Sequence, residues 1–255
     1  MLLCVKSMTP HAHIIDNLIA ENKKLREALS IAQQWIGREV SEMRLRKTKE
    51  ETMQRTRLDL RESEEEIRER LTKYFGEEDT KLSSENRDLL VESELNFHHI
   101  VRKKDLDGIM VTNVYQKILE NIFEQQWTSH FRTKNKKTRL HPRKNDLLEK
   151  TLYKVIHDDF RLSIGKIYQI CVRMVEGTPS ELIDLFRNSV EPLPLYQALS
   201  DGEFWELFKD LIDTKAFGEK RHAGKISFQD VVFVRESMTG NYSEDGLLKI
   251  ILKYI

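Results

Sequence analysis

Ile15, Asn22, Leu29, Ile36 and Met43 recur every seven residues, and Leu18, Leu25, Ala32 and Glu39 repeat at the same interval three residues on. These are the a and d positions of a heptad, which keep one apolar seam turned toward a partner helix. The same frame carries Leu60, Ile67, Leu71 and Tyr74 back onto the seam, while Arg46, Glu50 and Arg57 occupy it between. Residues 13 to 74 therefore read as one long helix with a weak middle. At roughly 1.5 Å per residue it would run ~90 Å, too long to fold back on a domain of this size without a break. A buried Asn at an a position pairs best with its own copy, so Asn22 predicts a parallel, in-register homodimer. Leu18, Asn22, Leu25, Leu29 and Ile36 are the expected oligomerisation residues. The alternative is a single amphipathic helix packed on its own domain.

A chain of 255 residues has room for one to two domains. Lys+Arg and Asp+Glu both number 42, and this balance argues against a wholly basic nucleic-acid coat. With 5 Pro and 10 Gly among interleaved charges, the composition is that of a helical protein rather than a disordered one. Cys4 and Cys171 fit no metal or redox spacing, so a reducing compartment, the cytoplasm, is expected. Met1–Val5 is too short for a signal peptide, and no run approaches the ~18 apolar residues of a membrane span. Neither a cofactor nor a metal is expected, and no membrane.

Gly76–Ser84 joins a glycine, an acidic cluster and a Ser pair, and marks the boundary between residues 1–76, the dimerisation helix, and 77–255, a helical domain. Helices are expected over about 85–104, 112–132 and 147–160, the second of them a core helix by its broad apolar stripe (Tyr115, Ile118, Leu119, Ile122, Phe123). His98-His99 is adjacent rather than at i, i+4, so a partly exposed pair is expected instead of a metal site. After a helix over 162–175, Thr178 reads as an N-cap with Pro179 at the first helical position and Glu181 completing a capping box. Ser200 with Glu203 reads as the next cap. No segment alternates as a strand does. The expected fold class is all-α.

Two stretches carry candidate chemistry. From Arg132 to Lys144 the chain holds Arg132, Lys134, Lys136, Lys137, Arg139, Arg143 and Lys144, with His130 and His141 nearby and no carboxylate. This segment can neutralise several phosphates, or it is a solvated loop between helices. No Phe, Tyr or Trp lies within it, so contact with RNA or DNA is expected through the backbone. The second stretch is Lys220-Arg221-His222-Ala223-Gly224-Lys225, a basic turn following an apolar helix. Ser227 and Asp230 cap the helix leading out. His222 held there can serve as a general base near a phosphodiester, or be an inert surface histidine.

Residues from about 85 to 255 resemble the HEPN class of helical domains, found in prokaryotic defence, toxin and RNA-cleaving systems. Tyr115, Lys117 and Glu120 match its Y-x-K-x-x-E helix, Leu162–Ile167 its mid-domain helix start, and His222 with Ile226-Ser227 its histidine and the residues after it. The resemblance implies paired motifs facing one another around RNA. The family's Arg, four to six residues ahead of the histidine, is not matched: these positions hold Ala216, Phe217 and Gly218. Lys215 lies one step too far and Lys220 and Arg221 are too close.

The expectation is a dimeric helical adaptor of a defence- or toxin-type system that contacts nucleic acid and joins a larger complex. The alternative is a metal-independent ribonuclease in which His222 is the acid or base and Arg221, Lys220 or Lys215 stabilises the phosphorane. The missing Arg favours the first, and the retained histidine context favours the second.

Overall fold

A computed structural model describes residues 62–102, 107–214, 216–217, 226–240 and 244–255. The chain divides into two units, Met1–Thr48 and Lys49–Ile255, and the described residues all belong to the second. The heptad positions Ile15 to Met43, with Leu18, Asn22, Leu25, Leu29 and Ile36, lie outside them.

Every regular element among the described residues is helical, which bears out the all-α class. The described residues form ten α-helices: α1 Glu64–Phe75, α2 Ser84–Arg102, α3 Ile109–Phe123, α4 Ser129–Asn135, α5 Leu147–His157, α6 Ile164–Glu176, α7 Glu181–Val190, α8 Gly202–Asp213, α9 Phe228–Thr239 and α10 Leu247–Lys253. None is long and apolar enough to cross a membrane.

Side-chain oxygens set most of the helix starts. Ser63 and Glu66 form a reciprocal capping box on α1, and Ser227 accepts from the Asp230 N–H as its spacing predicts. Two expected caps move by one or two residues. Ser180, not Thr178, caps α7 by accepting from the Ile183 N–H, because Thr178 stands before Pro179 and Glu181 opens the helix. Asp201, not Ser200, caps α8 through Glu203 and Phe204 N–H groups. Ser200 is already the last residue of the short 3₁₀ turn Pro194–Ser200.

The segment 64–81 is packed rather than connecting. Ile67, Leu71 and Phe75 are buried on α1. The Tyr74 hydroxyl accepts from the Gly246 N–H at 2.7 Å, and a Cβ on Gly240 would stand 2.2 Å from that hydroxyl. The 3₁₀ turn Gly76–Lys81 docks through Lys81 Nζ on the Leu252 carbonyl at 2.8 Å. Gly76, at φ 61°, therefore ends a helix without starting a linker. Ile67, Leu71 and Tyr74, expected on the dimer seam, serve this unit's own interior.

The long core helix expected over 112–132 is two helices joined by a widened π turn, Glu124–Thr128. A π turn inserts an extra residue into the helical ladder, and here Trp127 and Thr128 within it and Phe131 just beyond it are all buried. The helix α3 is the axis of the unit and packs on α2, α6 and α9. Around it, Phe123 stacks on Phe208 at 5.9 Å and Phe131 meets Phe186 edge-on at 4.8 Å. The closing helix α10 is buried on nearly every side, at Leu247, Leu248, Ile250, Ile251 and Leu252.

Candidate nucleic-acid interface

The basic stretch forms the end of α4 and the connector to α5. Its seven cations divide into two sets. Arg132 is drawn into the structure, 15% exposed, donating to the Val155 carbonyl and pairing with Glu124 at 2.9 Å and Asp159 at 3.3 Å. Arg143 donates to the Pro179 carbonyl at 2.6 Å and pairs with Glu149. Lys134 reaches the Asn188 carbonyl at 3.3 Å. These three fasten the connector to α5 and α7. Lys136, Lys137, Arg139 and Lys144 are exposed and have no hydrogen-bond or ion-pair partner among the described residues.

The local chemistry explains why the connector lies along α5. Asn135 ends α4 buried, its amide donating to the Phe131 carbonyl and to Ser189 Oγ. Glu149, buried on the first turn of α5, accepts from the Arg143 N–H at 2.6 Å and from Ser180 Oγ at 2.7 Å. Asp146 caps α5 and holds Arg173. One turn beyond Glu149 on the same helix face stands Tyr153, and one turn further His157. His141, from the connector, lies nearly parallel to Tyr153 at 5.9 Å, and His157 follows at 4.3 Å. The segment 132–144 holds no Phe, Tyr or Trp, but the fold supplies an aromatic row beside it. The i, i+4 spacing of Tyr153 and His157 was the only trace of this row in the sequence.

The histidine turn divides differently. Lys215, Lys220, Arg221 and His222 lie outside the described residues. The flanks of the turn are described, and they are internal. Thr214, Ala216 and Phe217 are buried, Phe217 at 0% exposure, and Ile226 is buried on the other side. Asp107 Oδ1 accepts from the Ile226 N–H and from the Ile109 N–H, each at 3.1 Å, pinning the returning strand of chain to the start of α3. A Cβ on Gly108 would stand 1.9 Å from Val231 Cγ2, so only glycine admits this approach of α3 to α9.

The residues matched to the HEPN helix are occupied by the fold. Glu120 Oε1 accepts from Gln116 at 2.7 Å and from the Ile164 N–H at 3.1 Å, capping α6 from outside. Lys117 is exposed, 3.5 Å from Glu85. The Tyr115 hydroxyl donates to Glu94 at 2.5 Å. Glu94 is at 0% exposure, yet Arg70 reaches it at 2.8 Å and Arg235 grips it with Nε and Nη2 at 2.6–3.0 Å. Burial pushes the Glu94 carboxyl up, but the charges and hydrogen bonds of Arg235 and Arg70 outweigh it and hold the group at about 2. Arg235 also lies over the Phe97 ring at 4.6 Å. This buried cluster joins α1, α2, α3 and α9.

His98 is buried beside it while His99 is exposed, so the pair is split rather than partly exposed together. Burial draws the His98 imidazole below its usual range. No group of three or more His, Cys, Asp or Glu among the described residues could hold a metal ion.

Compared with known proteins, the chain matches no family model, no curated protein and no solved structure.

Proposed function

We propose that this chain is a non-catalytic helical adaptor that holds nucleic acid on the connector between α4 and α5 and dimerises through its N-terminal heptads. The observation that carries the reading is the set of four cations, Lys136, Lys137, Arg139 and Lys144, exposed together without carboxylate partners among the described residues. Neighbouring cations repel one another, and a polyanion relieves that repulsion while releasing its own counterions. The burial of Phe217 supports the non-catalytic half of the reading. In the HEPN arrangement an Arg beside this position meets phosphate, and an apolar side chain at 0% exposure meets only core. A defence- or toxin-type setting is what the HEPN resemblance adds.

The test is binding of labelled RNA and DNA across a salt series, with Lys136/Lys137/Arg139 changed together to Ala. Wild-type affinity falls steeply with salt, and the triple variant binds all sequences more weakly with a shallower slope, by about three counterions' worth. Salt-independent binding, or an unchanged triple variant, overturns the reading. A metal-independent cleavage of RNA that is lost in His222→Ala overturns its non-catalytic half.

A further inference from the structure

The aromatic row beside the free cations adds a preference that charge alone does not confer. We propose that the connector and α5 bind single-stranded nucleic acid, with bases stacking on His141, Tyr153 and His157 while phosphates lie on Lys136, Lys137, Arg139 and Lys144. The inference rests on the reading of this surface as a nucleic-acid contact and names the strand state it selects.

Three observations carry it. The rings form one continuous row, 5.9 Å and then 4.3 Å between centroids, with His141 and His157 exposed at either end and Tyr153 half-exposed between them. Phe160 follows the end of α5, its N–H returning to the Lys154 carbonyl at 3.4 Å, and is itself 45% exposed. Of the carboxylates on these elements, Glu149 is buried and Asp146 is paired with Arg173, while Asp159, 84% exposed, is paired with Arg132 at 3.3 Å. Asp158 is exposed at the far end of α5.

Duplex buries its base faces in its own stack and offers a ring nothing but backbone. A single strand presents its π faces, and stacking on a side chain tolerates any sequence. An acidic protein would satisfy the cations but would have no use for the row of rings.

The experiment measures anisotropy of labelled oligo-uridine, oligo-thymidine and a mixed-sequence duplex, with unlabelled heparin as a competitor, on the full-length chain. Wild type binds the single strands about 10-fold or more tighter than the duplex. Tyr153→Leu, which keeps bulk and removes the ring, weakens single-strand binding about 10-fold, within the ~1–3 kcal/mol of one base stack, and leaves duplex binding within about twofold. Tyr153→Trp retains the single-strand affinity, and its thermal midpoint with that of Tyr153→Leu confirms that both fold. The triple cation variant weakens single strand, duplex and heparin together. Equal loss on single strand and duplex in Tyr153→Leu, or no loss on either, overturns the stacking inference while leaving the nucleic-acid reading intact. An unchanged triple variant, or a wild type that binds no nucleic acid, removes the underlying reading as well.

Discussion

Glu94→Gln removes one negative charge from the interior and leaves two guanidinium groups facing a neutral amide. Their exposures differ: Arg70 is 33% exposed and keeps Glu62 at 2.9 Å, whereas Arg235 is 18% exposed and has Glu94 as its grip. Breaking a buried ion pair from one side costs about 3–5 kcal/mol. A second route gives a similar figure. A carboxyl held at about 2 instead of 4.5 stabilises the fold by on the order of 3 kcal/mol, at ~1.4 kcal/mol per pH unit. The Phe97 face over Arg235 offsets part of the loss, so the lower end, about 3 kcal/mol, is expected.

The assay is urea unfolding followed by tryptophan fluorescence, since Trp127 is buried in the same unit. Because the folded-state value lies below the unfolded one, this stability is fully present above about 4.5 and is lost as pH falls toward about 2. The gap between wild type and Glu94→Gln therefore closes across that window. Tyr115→Phe, which removes one hydrogen bond to the charged oxygen, costs about 2 kcal/mol and keeps the pH dependence. A Glu94→Gln variant within about 1 kcal/mol of wild type at neutral pH, or a gap that stays constant into acid, refutes the reasoning.

Two further outcomes are expected. Phe217→Ala empties a fully buried aromatic position and lowers unfolding stability by about 3–5 kcal/mol, read from the shift in urea midpoint; a thermally neutral variant would mean that this face is not packed. Asn22→Leu raises the stability of the heptad pairing and loosens its register, giving mixed oligomers by sedimentation; a wild type that is monomeric at micromolar concentration removes the basis for both.

The class of the fold was readable because helices announce themselves locally. A cap is a contact over three residues, such as Ser227 with Asp230, and its geometry is complete before anything packs. The heptad frame over 13 to 74 passed over one such signal: Ser63, extended and capped reciprocally with Glu66, starts a helix at Glu64 inside the continuous helix that the frame predicts. Periodicity likewise marked Tyr115, Ile118, Leu119 and Ile122 as interior before any partner was known. It did less well where two local signals competed, as at Thr178 and Ser180, or where a frame was extended by counting. Ile67 and Leu71 fit a heptad, yet a buried face looks the same in sequence whether a second copy or the rest of the chain covers it.

The basic stretch was legible as charge, but not which charges remain free. Arg132 and Arg143 are consumed by Glu124, Asp159 and Glu149, of which Glu124 and Glu149 lie near in sequence but beyond the i, i+4 spacing that would mark a pair within one helix. The ring row needed α5 to lie beside the connector, which Glu149 arranges from the interior. The Glu94 cluster was wholly a product of tertiary structure. Its carboxylate is 24 residues from Arg70, 21 from Tyr115 and 141 from Arg235, and no helix-scale rule links positions so far apart. Local composition therefore determined the helices and where their charges sit. Packing α1, α2, α3 and α9 together decided which of those charges meet inside, because only a shared dry interior makes an ion pair between distant residues necessary.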